Sequence, residues 1–137
     1  MAYWLMKTEP DDYSWDRLVA DGKTEWSGVR NHQAAANLRS MQLGERAFFY
    51  RSMVDPAIVG VMTISATAYP DPDDPSSKFV RVRVKPLRPA LHEVTLKAIK
   101  ADPRFADFAL VRQSRLSVVP VGDAYWPALC AMAGIEP

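Results

Sequence analysis

Cysteine is nearly absent: Cys130 is the single one in 137 residues. No internal disulfide can form, which points to a reducing compartment, and a cytoplasmic protein is expected. Histidine is almost as scarce. His32 and His92, with one cysteine, cannot assemble a zinc set at the usual ligand spacings, so neither a metal nor another cofactor is expected. Net charge is missing too, with 17 Lys and Arg against 16 Asp and Glu, a balance of +1. A protein that grips a long stretch of phosphate backbone is normally far more basic. If this chain binds nucleic acid, it contacts few phosphates and draws its selectivity from a pocket.

Other absences narrow the field further. Every apolar run falls short of the ~20 residues of a membrane helix, and the N-terminus lacks the basic region and long apolar stretch of a secretory signal, so no membrane partner is expected. There is no phosphate-cradling glycine loop, dinucleotide fingerprint or nucleophile motif. A Ser–His–Asp or Cys–His site stays open, because its members meet only in space. Repeats, low-complexity tracts and linkers are missing as well, so residues 1–137 read as one domain. At 48% hydrophobic and 24% charged, that domain has the means to bury a core.

What is present centres on Trp26-Ser27-Gly28-Val29-Arg30-Asn31-His32-Gln33-Ala34. Asn31 is a good N-cap, and Ala34, Ala35, Leu38 and Met41 follow at spacings that share one helical face. Gly44 is expected to stop this helix. The segment thus lies at a helix N-terminus, where free N–H groups favour an electron-rich ligand. A plainer reading stands beside this one: Trp26 as a core aromatic, Asn31 as a cap alone, Arg30 as a solvated charge. The density of indole, cation, amides and imidazole in one run favours a polar pocket with an aromatic wall.

Along the rest of the chain, Ala2–Met6 reads as a strand buried on both faces, closed by Lys7-Thr8-Glu9-Pro10. Ser14 caps a short helix with Trp15, Leu18 and Val19 inward, ended by Gly22. Glu45–Arg51 and Ile58–Ala68 read as strands, with Gly60 marking a bulge or a close approach. Tyr69–Ser77, with three prolines and three aspartates, reads as a loop whose acidic cluster is a solvated turn rather than a cation site. Lys78–Arg88 alternates, with Val80, Val82 and Val84 facing in and Phe79, Arg81, Arg83 and Lys85 facing out; Pro86 and Pro89 are expected to finish it. Its basic outer face serves either a phosphate contact or the protection of an edge. Thr95 caps a helix over Leu96–Ala101, and Phe105 and Phe108 tuck inward. Arg112–Arg115 is a polar loop before a strand over Leu116–Val121. Asp123 caps a last helix with Tyr125, Leu129 and Met132 inward, Cys130 packed within it and Gly134 at its end. The order predicts an α+β fold, a small mixed β-barrel of about five to six strands decorated by helices.

Candidate binding groups fall at strand ends and in loops: Lys7 and Thr8, the central stretch, Tyr50 and Ser52, and Arg112–Arg115. Trp26 or Tyr50 can stack on a nucleobase; Asn31 and Gln33 can read a base edge; Lys7, Arg30 and Arg115 can take a nearby phosphate.

Five segments also carry a resemblance. Tyr3-Trp4-Leu5-Met6-Lys7-Thr8-Glu9-Pro10, Trp26 to Ala34, Phe48-Phe49-Tyr50-Arg51-Ser52, Ala68-Tyr69-Pro70-Asp71 and Arg112-Gln113-Ser114-Arg115-Leu116-Ser117 together resemble the EVE domain family, in order and over nearly the whole chain. The resemblance implies a PUA-like pseudobarrel related to YTH and ASCH domains. It also implies recognition of modified bases, in DNA with modified cytosines or in RNA. Carried over by position, the pocket draws on Lys7, Trp26, Ser27, Val29, Arg30, Asn31, His32, Tyr50, Ser52 and Arg115. Against the animal members, His32 stands where a tyrosine is common and Tyr69–Lys78 is shorter; the compact form resembles bacterial members.

The leading expectation is a non-enzymatic reader with nucleic acid as partner, stacking a flipped base on Trp26 and holding its edge with Asn31. The alternative is an enzyme acting on a modified nucleotide or a small metabolite with His32 as acid or base. A protein adaptor is a third reading. Oligomeric state is left open, with a monomer as the working expectation.

Overall fold

A computed structural model describes residues 1–76 and 78–137 of the chain. Six strands form one mixed sheet: β1 (Tyr3–Thr8), β2 (Thr24–Trp26), β3 (Arg46–Arg51), β4 (Ala57–Pro70), β5 (Val80–Thr95) and β6 (Val118–Val121), in the order β2-β5-β4-β3-β1-β6. Among the described residues only β1 and β3 pair in parallel, and the outer strands β2 and β6 do not pair with each other. The sheet is therefore barrel-like but open. Among the described residues five α-helices accompany it: α1 (Trp15–Asp21), α2 (His32–Ser40), α3 (Leu96–Ala101), α4 (Ala109–Arg112) and α5 (Tyr125–Ala133). This is the α+β architecture expected, and no helix among the described residues is long and apolar enough to cross a membrane.

The central strands show why both faces are covered. Trp4, Leu5 and Met6 are consecutive and all buried, as are Ala47 to Tyr50. On one face Trp126 of α5 stacks on Phe48 and Tyr3, with centroids 4.0 and 4.4 Å away. On the other, Phe49 meets Trp15 and Trp26 edge-on. Glu45 ties the start of β3 to β1. It is 3% exposed and accepts from the Trp4 indole at 2.9 Å and from the Ala2 and Gln42 N–H groups at 2.8 Å. Burial alone would raise its pKa; these donors reverse that and hold the carboxyl below its ordinary value.

Local signals held where the chemistry was local. Ser14, Asn31 and Thr95 each cap a helix through a side-chain oxygen, and Gly22 and Gly134 end helices with φ of 77° and 74°. Ala34, Ala35, Leu38 and Met41 are all buried. Gly60 is a close approach: a Cβ there would lie 2.6 Å from the Trp15 ring, and the β4–β5 register shifts beside it.

Elsewhere the structure corrects the reading. Helix α2 stops at Ser40 with Met41 as its cap, and Gly44 instead turns the chain into β3 at φ 85°. Val19 is 53% exposed, so α1 packs through Trp15 and Leu18. Pro86 and Pro89 do not end β5, which runs to Thr95. They lie opposite Met62 and Gly60, next to register shifts where the ladder needs no N–H from them. Phe79 is buried rather than outward, and Val80 is only half-buried. Strand β6 begins at Val118, not Leu116, and Arg112, expected in a loop, ends a helical turn, α4. Asp123 is not a cap; Ala124 precedes α5 with no side-chain bond, and Trp126, Leu129, Cys130 and Ala133 form its inner face. The 69–77 segment starts as strand, since β4 runs through Pro70, and it is no solvated turn: Asp71 and Asp74 are buried. Its last residue, Ser77, lies outside the described residues. No cluster of three metal-ligating side chains occurs among the described residues.

Candidate nucleic-acid interface

The carboxylate of Asp71 organises the central stretch. Its side chain is fully buried and accepts from the Gly28 N–H at 3.2 Å, the Asp73 N–H at 2.9 Å and Arg30 Nη1 at 3.1 Å. Burial pushes its pKa up, but the Asp73, Gly28 and Arg30 donors outweigh that and hold it below the usual carboxylate range. Asp74 does the same one turn later. The Ser76 hydroxyl, helped by the Phe79, Ser76 and Lys78 N–H groups, holds it at about 2. Gly28, at φ 78°, supplies the left-handed turn that lets its N–H reach Asp71. Arg30 and His32 then both rest on Phe79, the guanidinium 5.5 Å and the imidazole 5.1 Å from its centroid.

The ten residues expected to form one pocket are distributed over several places. Trp26 is 7% exposed, edge-on to Phe49 at 5.6 Å, and Val29 is buried in the same core. Ser27 is exposed beside them. Asn31 spends its Oδ1 on the Ala34 N–H at 2.9 Å. It also lines, with Gln33, a cleft of about 320 Å³ whose far wall is Arg112, Gln113, Ser114, Arg115 and Leu116. Lys7 sits beside this cleft: Nζ donates to the Ser114 carbonyl at 3.0 Å and lies 5.8 Å from the Tyr50 ring centroid. Burial lowers the Lys7 pKa, and it raises that of Tyr50 to about 12. Ser52 contributes backbone, its N–H bonding the Thr8 carbonyl at 2.9 Å. Of the ten, Asn31 and Arg115 therefore line this cleft, with Lys7 bonded to its Ser114 wall and the Tyr50 ring next to Lys7; Trp26 and Arg30 line neither this cleft nor the one at the end of β1 and β3. The physical reason is the β2–β5 pairing, which carries the indole inward onto Phe49. The imidazole of His32 has no orienting hydrogen bond among the described residues.

A second cleft, of about 310 Å³, opens where β1 and β3 end side by side at Thr8 and Arg51. Tyr13, Trp15 and Phe49 give it an aromatic lining, and Val59, Pro89 and Ala90 an aliphatic wall. Thr8, Ser14, Asp16, Arg51 and Glu93 supply polar groups at its rim. Arg51 and Glu93 form a two-pronged pair at 2.8 and 3.0 Å, and the guanidinium holds the Glu93 carboxyl below its ordinary pKa. Of these residues the sequence singles out only Thr8 as a candidate binding group. Trp15 reads as helix core and Pro89 as a strand end; Arg51 of β3 and Glu93 of β5 meet only across β4, through the β3–β4 and β4–β5 pairings. Both clefts flank the end of β1, because alternation sends Lys7 to one face and Thr8 to the other.

An open, barrel-like mixed sheet with an aromatic-lined slot at the ends of its parallel strands, flanked by a cationic cleft, describes a small binding domain. The chain belongs to the EVE domain family, whose model matches residues 2–132. It is 33% identical to thymocyte nuclear protein 1 of Rattus norvegicus over 169 aligned positions, which cover 98% of this chain and 75% of that protein. Against the human protein of that name the aligned segment spans only 44% of the length. Among solved structures, Rpa0253 of Rhodopseudomonas palustris is 49% identical with a TM-score of 0.92, covering 98% of this chain and 94% of that one. Human THYN1 protein in complex with 5-methylcytosine-containing DNA is 30% identical with a TM-score of 0.90, covering 100% of each chain.

Proposed function

We propose that this domain is a non-enzymatic reader of a modified base in nucleic acid, the base being a modified cytosine in DNA. The observation that carries the reading is the aromatic-lined cleft at the ends of β1 and β3. A flat ring lies against Trp15, an arrangement worth about 1–3 kcal/mol per base. The carboxylate of Asp16 or Glu93 accepts from the exocyclic amine that marks cytosine. A methyl group at ring position 5 packs on Val59, Pro89 and Ala90, which is worth about 0.8 kcal/mol, or about fourfold in affinity. Lys7 and Arg115, around the other cleft, take adjacent phosphates. Trp26 acts from beneath, bracing Phe49, and Asn31 fixes the start of α2. A base reaches such a slot only when unstacked.

Support from relatives is the human complex with 5-methylcytosine-containing DNA, over the full length of this chain. No observation favours an enzyme with His32 as acid or base, since the imidazole is exposed, rests on Phe79 and lines neither cleft.

The test is a fluorescence-anisotropy titration with short single-stranded oligonucleotides carrying one 5-methylcytosine, one cytosine, or one modified RNA base. The methylated DNA is expected to bind about fourfold tighter than its unmodified twin, and Trp15→Leu to weaken it by roughly fivefold or more. Equal binding of all strands, unmoved by Trp15→Leu, refutes the reading; tighter binding of the RNA transfers it to RNA.

A further inference from the structure

We propose that Met53 and Val54, at the tip of the β3–β4 hairpin, form a wedge that enters the gap left in a duplex when the modified base is drawn into the aromatic cleft. The proposal rests on the base reading above and adds to it how a paired base is released.

The tip has an unusual conformation. Met53 has φ 73°, and the Val54 N–H bonds the Ser52 carbonyl at 2.9 Å, closing a three-residue turn of the rare, strained kind. Asp55 follows at φ 45°. Glycine or asparagine fits such positions; a long unbranched side chain at positive φ is costly. Met53 is also 73% exposed and Val54 63% exposed, so neither is held there by burial. A strained backbone that displays two apolar side chains to solvent is an outlier that calls for a use.

Its position supplies one. The Arg51 guanidinium grips the tip, donating to the Val54 carbonyl at 3.2 Å and to the Asp55 carbonyl at 2.8 Å, while pairing with Glu93. The Ser52 N–H fastens the tip's base to the Thr8 carbonyl. Thr8, Arg51 and Glu93 are rim residues of the aromatic cleft. The two apolar side chains are thus held beside the slot's mouth, where the neighbours of an extruded base would lie. Proteins that unstack base steps insert just such side chains, methionine among them. With a net charge of +1, the domain has little general phosphate attraction to hold a duplex open. An apolar insertion supplies affinity that charge does not.

The test uses the full chain and one strand carrying a single 5-methylcytosine flanked by 2-aminopurine, offered single-stranded and as a duplex. Wild-type protein is expected to raise 2-aminopurine fluorescence on binding the duplex. Met53→Gly combined with Val54→Ser is expected to weaken duplex binding by about tenfold, the effect of losing one well-buried apolar side chain, and to abolish the fluorescence rise. Single-strand affinity stays at the wild-type value, because no gap needs filling. The melting temperature does not fall, since glycine relieves the strain at position 53, so misfolding cannot explain the loss. Wild-type duplex affinity in the variant, or equal losses on duplex and single strand, overturns the wedge while leaving the base reading intact. A wild-type protein that ignores the methyl group even on the single strand removes the base reading and the wedge together.

Discussion

Replacing Asp71 with alanine breaks the joint between the Trp26–Asn31 turn and the segment that enters β5. The carboxylate is fully buried and serves three donors: the Gly28 N–H, the Asp73 N–H and Arg30. The guanidinium is 40% exposed, so it regains water and its share is small. The two backbone donors lose a charged acceptor, at about 1–1.5 kcal/mol each, giving a loss of about 2–3 kcal/mol. For a chain of this size that is a fall in melting temperature of roughly 6–15 °C. Asp71→Asn keeps one acceptor oxygen and is expected to lose about half as much. The sign with pH follows from the lowered carboxyl pKa. The stabilisation is complete above the unfolded carboxylate's pKa and is lost as pH falls through the folded one, so the wild-type advantage over Asp71→Ala shrinks in acid. Thermal melts at neutral and acidic pH measure both, and hydrogen exchange at the Gly28 amide reports the joint itself. An alanine variant that melts with the wild type, its Gly28 amide still protected, refutes the assignment.

Three further outcomes follow from the same geometry. Gly60→Ala drives a methyl into the Trp15 ring and is expected to cost about 1–3 kcal/mol in urea unfolding, with a shift in tryptophan emission as the cleft wall moves. Asn31→Ala removes the α2 cap and is expected to lower stability by about 1 kcal/mol, seen as a lower urea midpoint at unchanged slope. Burial pushes the Cys130 thiol up to about 11, so a thiol reagent at neutral pH should label the folded protein slowly and the urea-unfolded protein at once; rapid labelling of the native state contradicts that burial.

Much of the fold was legible because its signals are short-range. The Asn31 cap, the Thr95 cap and the αL glycines Gly22 and Gly134 depend on neighbours a few residues away, and the structure has all four. Pro86 and Pro89 misled because a proline ends a regular ladder but not one with bulges, and bulges are set by the partner strand. Alternation alone turns Phe79 outward. It is buried because the Asp74 carboxylate captures its N–H and because Arg30 and His32 come from a distant segment to cover it. The candidate site was legible in part for the same reason. The wall of Arg112–Arg115 facing Asn31 follows from runs visible in the sequence. The aromatic cleft draws on α1, β1, β3, β4 and β5, and no spacing rule joins Trp15 to Glu93. Trp26 drew attention as an indole in a polar run, yet the strand pairing that buries it is a tertiary fact.

The most direct test of the base reading is a nuclear-magnetic-resonance titration that follows the indole N–H and backbone amide signals while a short strand with one 5-methylcytosine is added. If the cleft takes the base, the Trp15 indole and the amides of Thr8 and Arg51 shift together and saturate, and the Trp126 indole, packed between Tyr3 and Phe48 on the opposite face, stays in place. Shifts confined to the outer face of β5, or identical shifts with the unmethylated strand, contradict a base held in that slot.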